Sequence, residues 1–382
     1  MRNSLASAAT LALLTGLAAP AVADDASEIA QLKQRVSELE QQQQRVAPSP
    51  NLKFNVTSNT ELEIYGFLRF EAFYDFDFAQ GDLTRASRIG DPAFATDGEF
   101  ETSVRVSRLG FRSKTQTDFG EIGGQLEFDL FSGDDTTTSP QLRLRHANLT
   151  IGDSWLFGQT WTNFMPLTHY PRTADFNGPV GIAFARTPQI RYTYAASNGF
   201  TFSTSIEEGV GGSSDPVLTA AAFYQGENFS ARVAGLVGSF ESGGTEYDTS
   251  GVTVSGSVSP WKGGTFTATY VTGEAIGNLL IGGGARVVGG VTNDADGYTL
   301  EYRHDVTDTL NVGMAYGKEE YDLPTVGGLT DFTDLETVFL NAFWQPTDKL
   351  TIGGELIRGE STNSAGVTST ANRIGGSVTF SF

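Results

Sequence analysis

From about residue 61 onward the chain alternates apolar and polar positions with a period of two, the pattern of strands whose faces meet different surroundings. Leu68, Phe70 and Tyr74 alternate with Arg69, Glu71 and Asp75, and Phe266, Ala268 and Tyr270 with Thr265, Thr267 and Thr269. Tyr298, Leu300 and Tyr302 do so with Thr299, Glu301 and Arg303, and Ile374, Val378 and Phe380 with Arg373, Ser377 and Ser381. Seven short polar connections punctuate these segments: "TDFG" at 117, "GDS" at 152, "SNG" at 197, "QGEN" at 225, "SPWKGG" at 259, "HDVTD" at 304 and "QPTD" at 345. Between them lie eight connections, mostly longer, including residues 77–99, 161–187, 274–296 and 319–332. Seven turns and eight loops in alternation join sixteen strands. An even strand number, with short connections at one end and long ones at the other, predicts an all-β fold: a 16-stranded antiparallel transmembrane β-barrel over residues 61–382.

A soluble β-sandwich would also alternate, but it buries an apolar core between two layers. Here one face is rich in aromatics while the other holds Arg, Glu, Asp, Thr and Ser. A polar interior at membrane depth is stable only if it is wet, and closing the sheet removes every unpaired edge from lipid. No window of about eighteen residues beyond residue 61 is continuously apolar, which excludes a transmembrane helix there. The last strand ends "SVTFSF", and the terminal aromatic Phe382 resembles the signal by which bacterial outer-membrane barrels engage their assembly machinery.

Ahead of residue 61 the period changes. Residues 1–23 carry a basic start, a short apolar run and the small-x-small site Ala21-Val22-Ala23, the features of a secretory signal peptide. Ile29, Leu32, Val36, Leu39, Gln43 and Val46 fall at alternating spacings of three and four, which predicts a short coiled-coil helix over residues 24–46, on the periplasmic side. Residues 47–60, with Pro48 and Pro50, read as a linker.

Composition narrows the chemistry. The chain has no cysteine, so thiolate metal sites and cysteine nucleophiles are absent, and three widely spaced histidines (His146, His169, His304) offer no metal cluster. No cofactor is expected. A barrel lipase would need a Ser–His pair with a third group orienting the ring, which these histidines do not suggest, so no enzyme is expected. The net charge of −20 argues against nucleic acid as a partner. Many acids sit in expected loops (Asp82, Asp91, Asp134, Asp135, Asp294, Asp296).

Against that acidity, arginine outnumbers lysine about three to one and gathers on the polar strand face. In "QLRLRHANLT" Arg143 and Arg145 alternate with Leu142 and Leu144, and Arg69 and Arg191 alternate with Phe70, Ile190 and Tyr192. In "SVRVSRLGFRS", which also contains Arg105, the phase slips near Ser107, as at a bulge, and Arg108 and Arg112 then oppose Leu109 and Phe111. Cations facing a lumen with low-dielectric walls focus a positive field across it. The same arginines could instead pair with inward Glu71, Asp75, Glu127 and Asp129 and brace the wall; both arrangements can coexist. Arg85 and Arg88 fall in a long connection and are read as solvated. The longest mid-chain connection, "WTNFMPLTHYPRTADFNGPVGIAFART", is stiffened by Pro166, Pro171 and Pro179, and its Arg172 and Asp175 are candidates for a constriction. An extracellular lid is the alternative reading of this loop.

The runs "GQTWTNFMP" at 158–166, "DFNGP" at 175–179 and "RTPQIRYTY" at 186–194, with "LRLRHA" at 142–147 and "SRLGFRS" at 107–113, resemble the DcaP-like outer-membrane porins. The predicted coiled coil ahead of the barrel fits the same family. The resemblance covers essentially the whole mature chain. It implies a homotrimer in outer-membrane lipid and lipopolysaccharide, with passive uptake of small anionic solutes such as dicarboxylates through an arginine-lined constriction. The loop after strand five would fold inward, and Arg69, Arg105, Arg108, Arg112, Arg143, Arg145, Arg172, Asp175, Arg186 and Arg191 would line the path. Two other readings stand beside it. One is a phosphate-selective porin, which would favour lysine as well as arginine along the bore. The other is a barrel anchor whose coiled coil tethers the outer membrane to the cell wall.

Overall fold

The computed structural model describes residues 52–133, 140–210, 215–326 and 329–382; the expected signal peptide and coiled coil lie outside the described residues. Eighteen antiparallel segments form one sheet. Two positions in it are composite. Glu99–Ser103 and Arg108–Thr117 both pair with the same side of Thr60–Asp75, while Leu52–Thr57 and Thr368–Ser381 share its other side, end to end. The eighteen segments therefore fill sixteen positions, and the sheet closes where Gly66 and Phe382 exchange backbone hydrogen bonds of 3.1 and 3.3 Å. Among the described residues there is no α-helix, and the barrel matches the expected strand number.

All seven short turns fall where the polar punctuation places them. Three other boundaries differ. Leu52–Thr57, expected as linker, is a strand, because Phe54 and Lys53 align with Leu62 and Glu63 across a tight hairpin. The expected loop 319–332 is mostly wall: Leu310–Val326 and Asp331–Thr347 pair almost to their ends, so Asp322 and its neighbours extend strands beyond the apolar belt. Asp294 and Asp296, expected in a loop, likewise open the strand Asp294–Asp305.

The side-chain faces follow the sequence pattern. Leu68, Phe70, Leu142, Leu144, Ile190, Leu300, Val378 and Phe380 are exposed on the outer wall, while Glu71, Asp75, Arg145, Thr299, Glu301, Arg373 and Ser377 are buried inside. Near Ser107 the slip is larger than a one-residue bulge. Residues 104–107 leave the ladder in a turn closed by Ser107 N–H donating to the Val104 carbonyl, which carries Arg105 and Val106 inward. A second irregularity, in Gln141–Ile151, sits between the partners of Glu127 and Phe128, so that Arg145 and His146 are both buried on the inner side.

Three long connections fold into the bore. Ile89 from 76–98, Phe164, Val180 and Ala183 from 162–185, and Ile276, Leu279 and Leu280 from 275–293 meet inward Val217, Leu236, Val271 and Leu335 in a dry cluster. One wall of the lumen is thus apolar where the loops pack, although its strand pattern promised only polar groups. Loop 76–98 is no solvated rim: Asp82 and Asp91 are buried, and Arg85 donates to the Gln80 carbonyl and to Asp82. Arg88 lies over the Phe94 ring.

Loop 162–185 is held by its backbone. Inward carboxylates accept from its N–H groups: Glu207 from Asn163 at 2.8 Å, Glu301 from Arg172 at 2.9 Å, Glu355 from Ala174 and Asp175 at 3.0 and 2.8 Å, and Glu319 from Gly181 at 2.8 Å. Charge-assisted bonds of this kind are about twice as strong as neutral ones. Close approach also needs missing side chains. A Cβ on Gly317 would lie 1.9 Å from the Val180 carbonyl oxygen, and one on Gly297 would lie 2.9 Å from Gly181. His169 bridges two strands, its ring nitrogens 2.7 Å from Ser255 Oγ and 2.8 Å from Ser230 Oγ. Burial, and then the Arg232 guanidinium, push this imidazole down to about 4.

Two outcomes are expected. Because the chain has no cysteine, Ala183→Cys gives a single thiol, shielded while the loop is docked. Adding Gly317→Leu overpacks the seat at a cost of ~1–3 kcal/mol. Maleimide labelling should then accelerate on the order of tenfold or more, with heat-modifiable gel mobility showing an intact barrel. Unchanged labelling would show that the glycine seat does not hold the loop. The second outcome concerns pH. A released His169 titrates near ~6.5 and the docked one near 4, so the released state binds more protons in that window. Docking is fully stabilised above ~6.5 and weakens as pH falls toward 4, by up to about tenfold per unit. Labelling of the same thiol, normalised to that of an exposed cysteine at the same pH to remove the loss of thiolate, should rise as pH falls across this window, and His169→Asn should flatten the rise.

Candidate functional site

Between loop 162–185 and the facing wall lies a cavity that opens to solvent. Arg69, Arg108 and Arg145 line it from the strands, and Arg172 and Asp175 from the loop. Phe67, Trp161, Tyr170, Phe176, Phe184 and Phe343 supply aromatic surface. The loop therefore narrows the bore from within and is not a lid.

The strand arginines are engaged. Arg145 donates through Nε to Glu127 at 2.7 Å and through Nη1 to Asp129 at 2.9 Å. Arg143 grips both Asp129 oxygens, at 2.9 and 2.6 Å, and Arg108 Nε lies 3.5 Å from Glu127. Three guanidinium groups share two carboxylates, which leaves one formal positive charge on this patch of wall. Arg143 is about a third exposed, whereas Arg145, Glu127 and Asp129 are almost wholly buried. Elsewhere Arg69 pairs with Glu71 at 2.8 Å, Arg105 with Asp82 at 2.8 Å, and Arg112 with Glu63 at 3.6 Å. The wall-bracing pairs that the alternation left open are thus present at Glu71, Glu127 and Asp129, while Asp75 pairs with Arg373 at 3.1 Å.

Arg172 differs. Its backbone is pinned on both sides, by Glu301 at its N–H and by Asn341 Nδ2, which donates to its carbonyl at 3.0 Å. Its guanidinium stacks 4.0 Å from the Phe343 ring centroid and has no carboxylate within salt-bridge distance among the described residues. Burial, and then the Arg303 charge, lower it to about 10, so it stays cationic at neutral pH. Asp175 does the opposite. It is buried and accepts from Thr84 N–H and Oγ1 and from Asn177 N–H at 2.7, 2.9 and 2.9 Å, which ties loop 76–98 to loop 162–185. Its carboxylate oxygens are engaged by these donors, although the residue lines the cavity.

The remaining expected residues are spread out. Arg186 is half-buried over the Trp161 ring, where loop 162–185 rejoins the sheet, and Arg191 donates to Gln189 Oε1 at 2.9 Å and to the Trp161 carbonyl. The sequence reading passed over Arg232, which donates to the Asn163 and Phe164 carbonyls, and the wall carboxylates Glu207, Glu319 and Glu355. Their inward phase was visible in the alternation. Their partners, loop N–H groups more than a hundred residues away in most cases, were not.

The family model for the DcaP outer membrane protein matches residues 28–242. Among solved structures, the outer membrane channel DcaP of Acinetobacter baumannii superimposes with a TM-score of 0.78 at 25% identity, covering 86% of this chain and 99% of that one. The fold is shared with the anion-selective porin of Comamonas acidovorans, at a TM-score of 0.60 and 13% identity over 85% of this chain and 100% of that one. It is shared also with OmpT of Vibrio cholerae, at 0.59 and 16% identity over 87% and 100%. No curated protein sequence matches the chain. With more than half of its length under the family model, on a sixteen-position barrel with an inward loop, the chain belongs to the DcaP outer membrane protein family.

Proposed function

We propose that the protein is a passive outer-membrane channel that prefers small anions, dicarboxylates among them, and assembles as a homotrimer after export by a signal peptide at residues 1–23. Family and fold point to a channel rather than an enzyme. The observation that carries the anion preference is the cavity against loop 162–185, where four arginines and one saturated aspartate face a solvent-open space. Low-dielectric walls strengthen their field across the bore, and the inward loop sets the size limit. Outward Leu142, Leu144, Leu149 and Trp155 give an apolar outer wall on the same side, suited to lipid or to a second barrel. The coiled coil over residues 24–46 would add to that assembly.

Reversal potentials in a salt gradient across a planar bilayer test the reading. The wild type should pass chloride in preference to potassium. Asp129→Asn removes one of two carboxylates shared by three arginines and should strengthen that preference; Arg143→Ala should weaken it. At an effective dielectric near ~20 and a separation of about 8 Å, one charge is worth roughly 2 kcal/mol to a passing ion. Screening reduces this several-fold, so a permeability ratio shifted about two- to threefold each way is expected. Arg145→Ala should also cost about 3–5 kcal/mol of barrel stability, since it strands buried Glu127 and Asp129. A cation-selective wild type, or shifts of the same sign for Asp129→Asn and Arg143→Ala, would sink the proposal.

A further inference from the structure

The strand Leu52–Thr57 lines no part of the lumen: all six of its residues are exposed, on both faces. Among the described residues it pairs only with Thr60–Asp75, so its other edge is open. Leu52, Phe54 and Val56 share one face and are 57, 44 and 60% exposed, while Lys53 turns the other way to Glu61 at 3.0 Å. The Asn59 carbonyl accepts from Gln116 N–H at 2.8 Å, which sets the hairpin tip level with the short turn at 117–120. Val56 therefore lies where the wall meets water, and an apolar face there calls for a cover. The register carries this face into the outer wall, from Leu52 through Ile64 and Phe111 to Leu126. Two observations point to what covers it. From Thr60 to Ile151 no outward strand position carries a charge, whereas outward Asp296, Lys318, Glu320, Glu336, Arg358 and Glu360 stud the wall built by residues 294–362. Charged residues are depleted where protein meets protein. The second observation is reach: Leu52 follows Val46, the last position of the expected coiled-coil seam, by six residues. At ~3.3–3.6 Å per residue these span at most about 20 Å, so a coil shared between copies would hold each hairpin that close to its axis.

Resting on the homotrimer reading, we propose that Leu52–Thr57 is a contact between copies of this chain. Its apolar face packs against the same hairpin of the neighbouring copies around their shared axis, at the turn end of the barrels. A second copy, and not lipid, covers Leu52, Phe54 and Val56. The contact makes one continuous interface of the coil on one side and the charge-free wall on the other.

Because the chain has no cysteine, single thiols report which surfaces meet. Val56→Cys in the full-length protein, treated in outer membranes with a short bismaleimide, should run as a linked dimer on a denaturing gel. Three thiols around one axis leave one unlinked, so about two thirds of the chains should be linked at most. Met314→Cys, on the wall that bears the outward charges and 49% exposed, should stay unlinked. Phe54→Asp should raise the monomer fraction of the detergent-solubilised protein about tenfold or more, with heat-modifiable mobility showing an intact barrel. Val326→Asp, exposed at the other end of the barrel, should leave that fraction unchanged. No linked dimer from Val56→Cys while native mass shows trimers, equal linkage from Met314→Cys, or trimers indifferent to Phe54→Asp would each overturn the hairpin contact and leave the homotrimer in place. A wild type that is monomeric by native mass would remove the reading beneath it as well.

Discussion

The constraint on which this barrel turns is that an inward carboxylate must find a donor. A charged oxygen buried away from water is costly unless it is paired or hydrogen-bonded. The wall offers two kinds of donor, and it uses them in different places. On the first strands the donors are guanidinium groups, as where Arg143 and Arg145 meet Asp129. On later strands they are backbone N–H groups of loop 162–185, caught by Glu207, Glu301, Glu319 and Glu355. The second arrangement draws the loop to one side of the bore and leaves the arginine-bearing side open to water.

That division explains why one wall of the lumen is apolar. A loop tied down at its backbone must put its side chains somewhere, and Phe164, Val180 and Ala183 turn toward the wall that holds them. The wall responds with small or apolar inward residues such as Ala234, Val271, Gly297 and Gly317. Polar solutes are left the remaining space, bounded by Arg69, Arg108 and Arg145 on one side and by Arg172 on the other. The open arginine-bearing space and the anchored loop are therefore two consequences of one distribution of charge.

The barrel was legible because lipid imposes one rule on every strand: apolar residues outward, at period two, with short turns at one end. Leu142, Leu144, Val378 and Phe380 obey it, and so do the seven turns. Departures from that rule were harder to read. The interruption at 104–107 and the extra residue at Arg145–His146 place adjacent residues on one face, which alternation alone cannot size. The inward orientation of Arg143 and Arg145 could be read; their partition between bracing and field could not, since that depends on which carboxylates lie across the strand. Arg85 was read as solvated because a charge in a long connection ordinarily is, and here that connection is interior and holds it on Gln80 and Asp82.

The composite sixteenth position sets a condition on how the molecule is made. Thr60–Asp75 cannot complete its ladder until Thr368–Ser381 and Leu52–Thr57 both lie against it, which joins parts of the chain some three hundred residues apart. Contacts of such sequence separation form slowly. Until they do, both sides of the seam are open edges that would pair with any strand offered. Closure is thus the last event available to this chain, and a barrel that lacks it is an adhesive sheet.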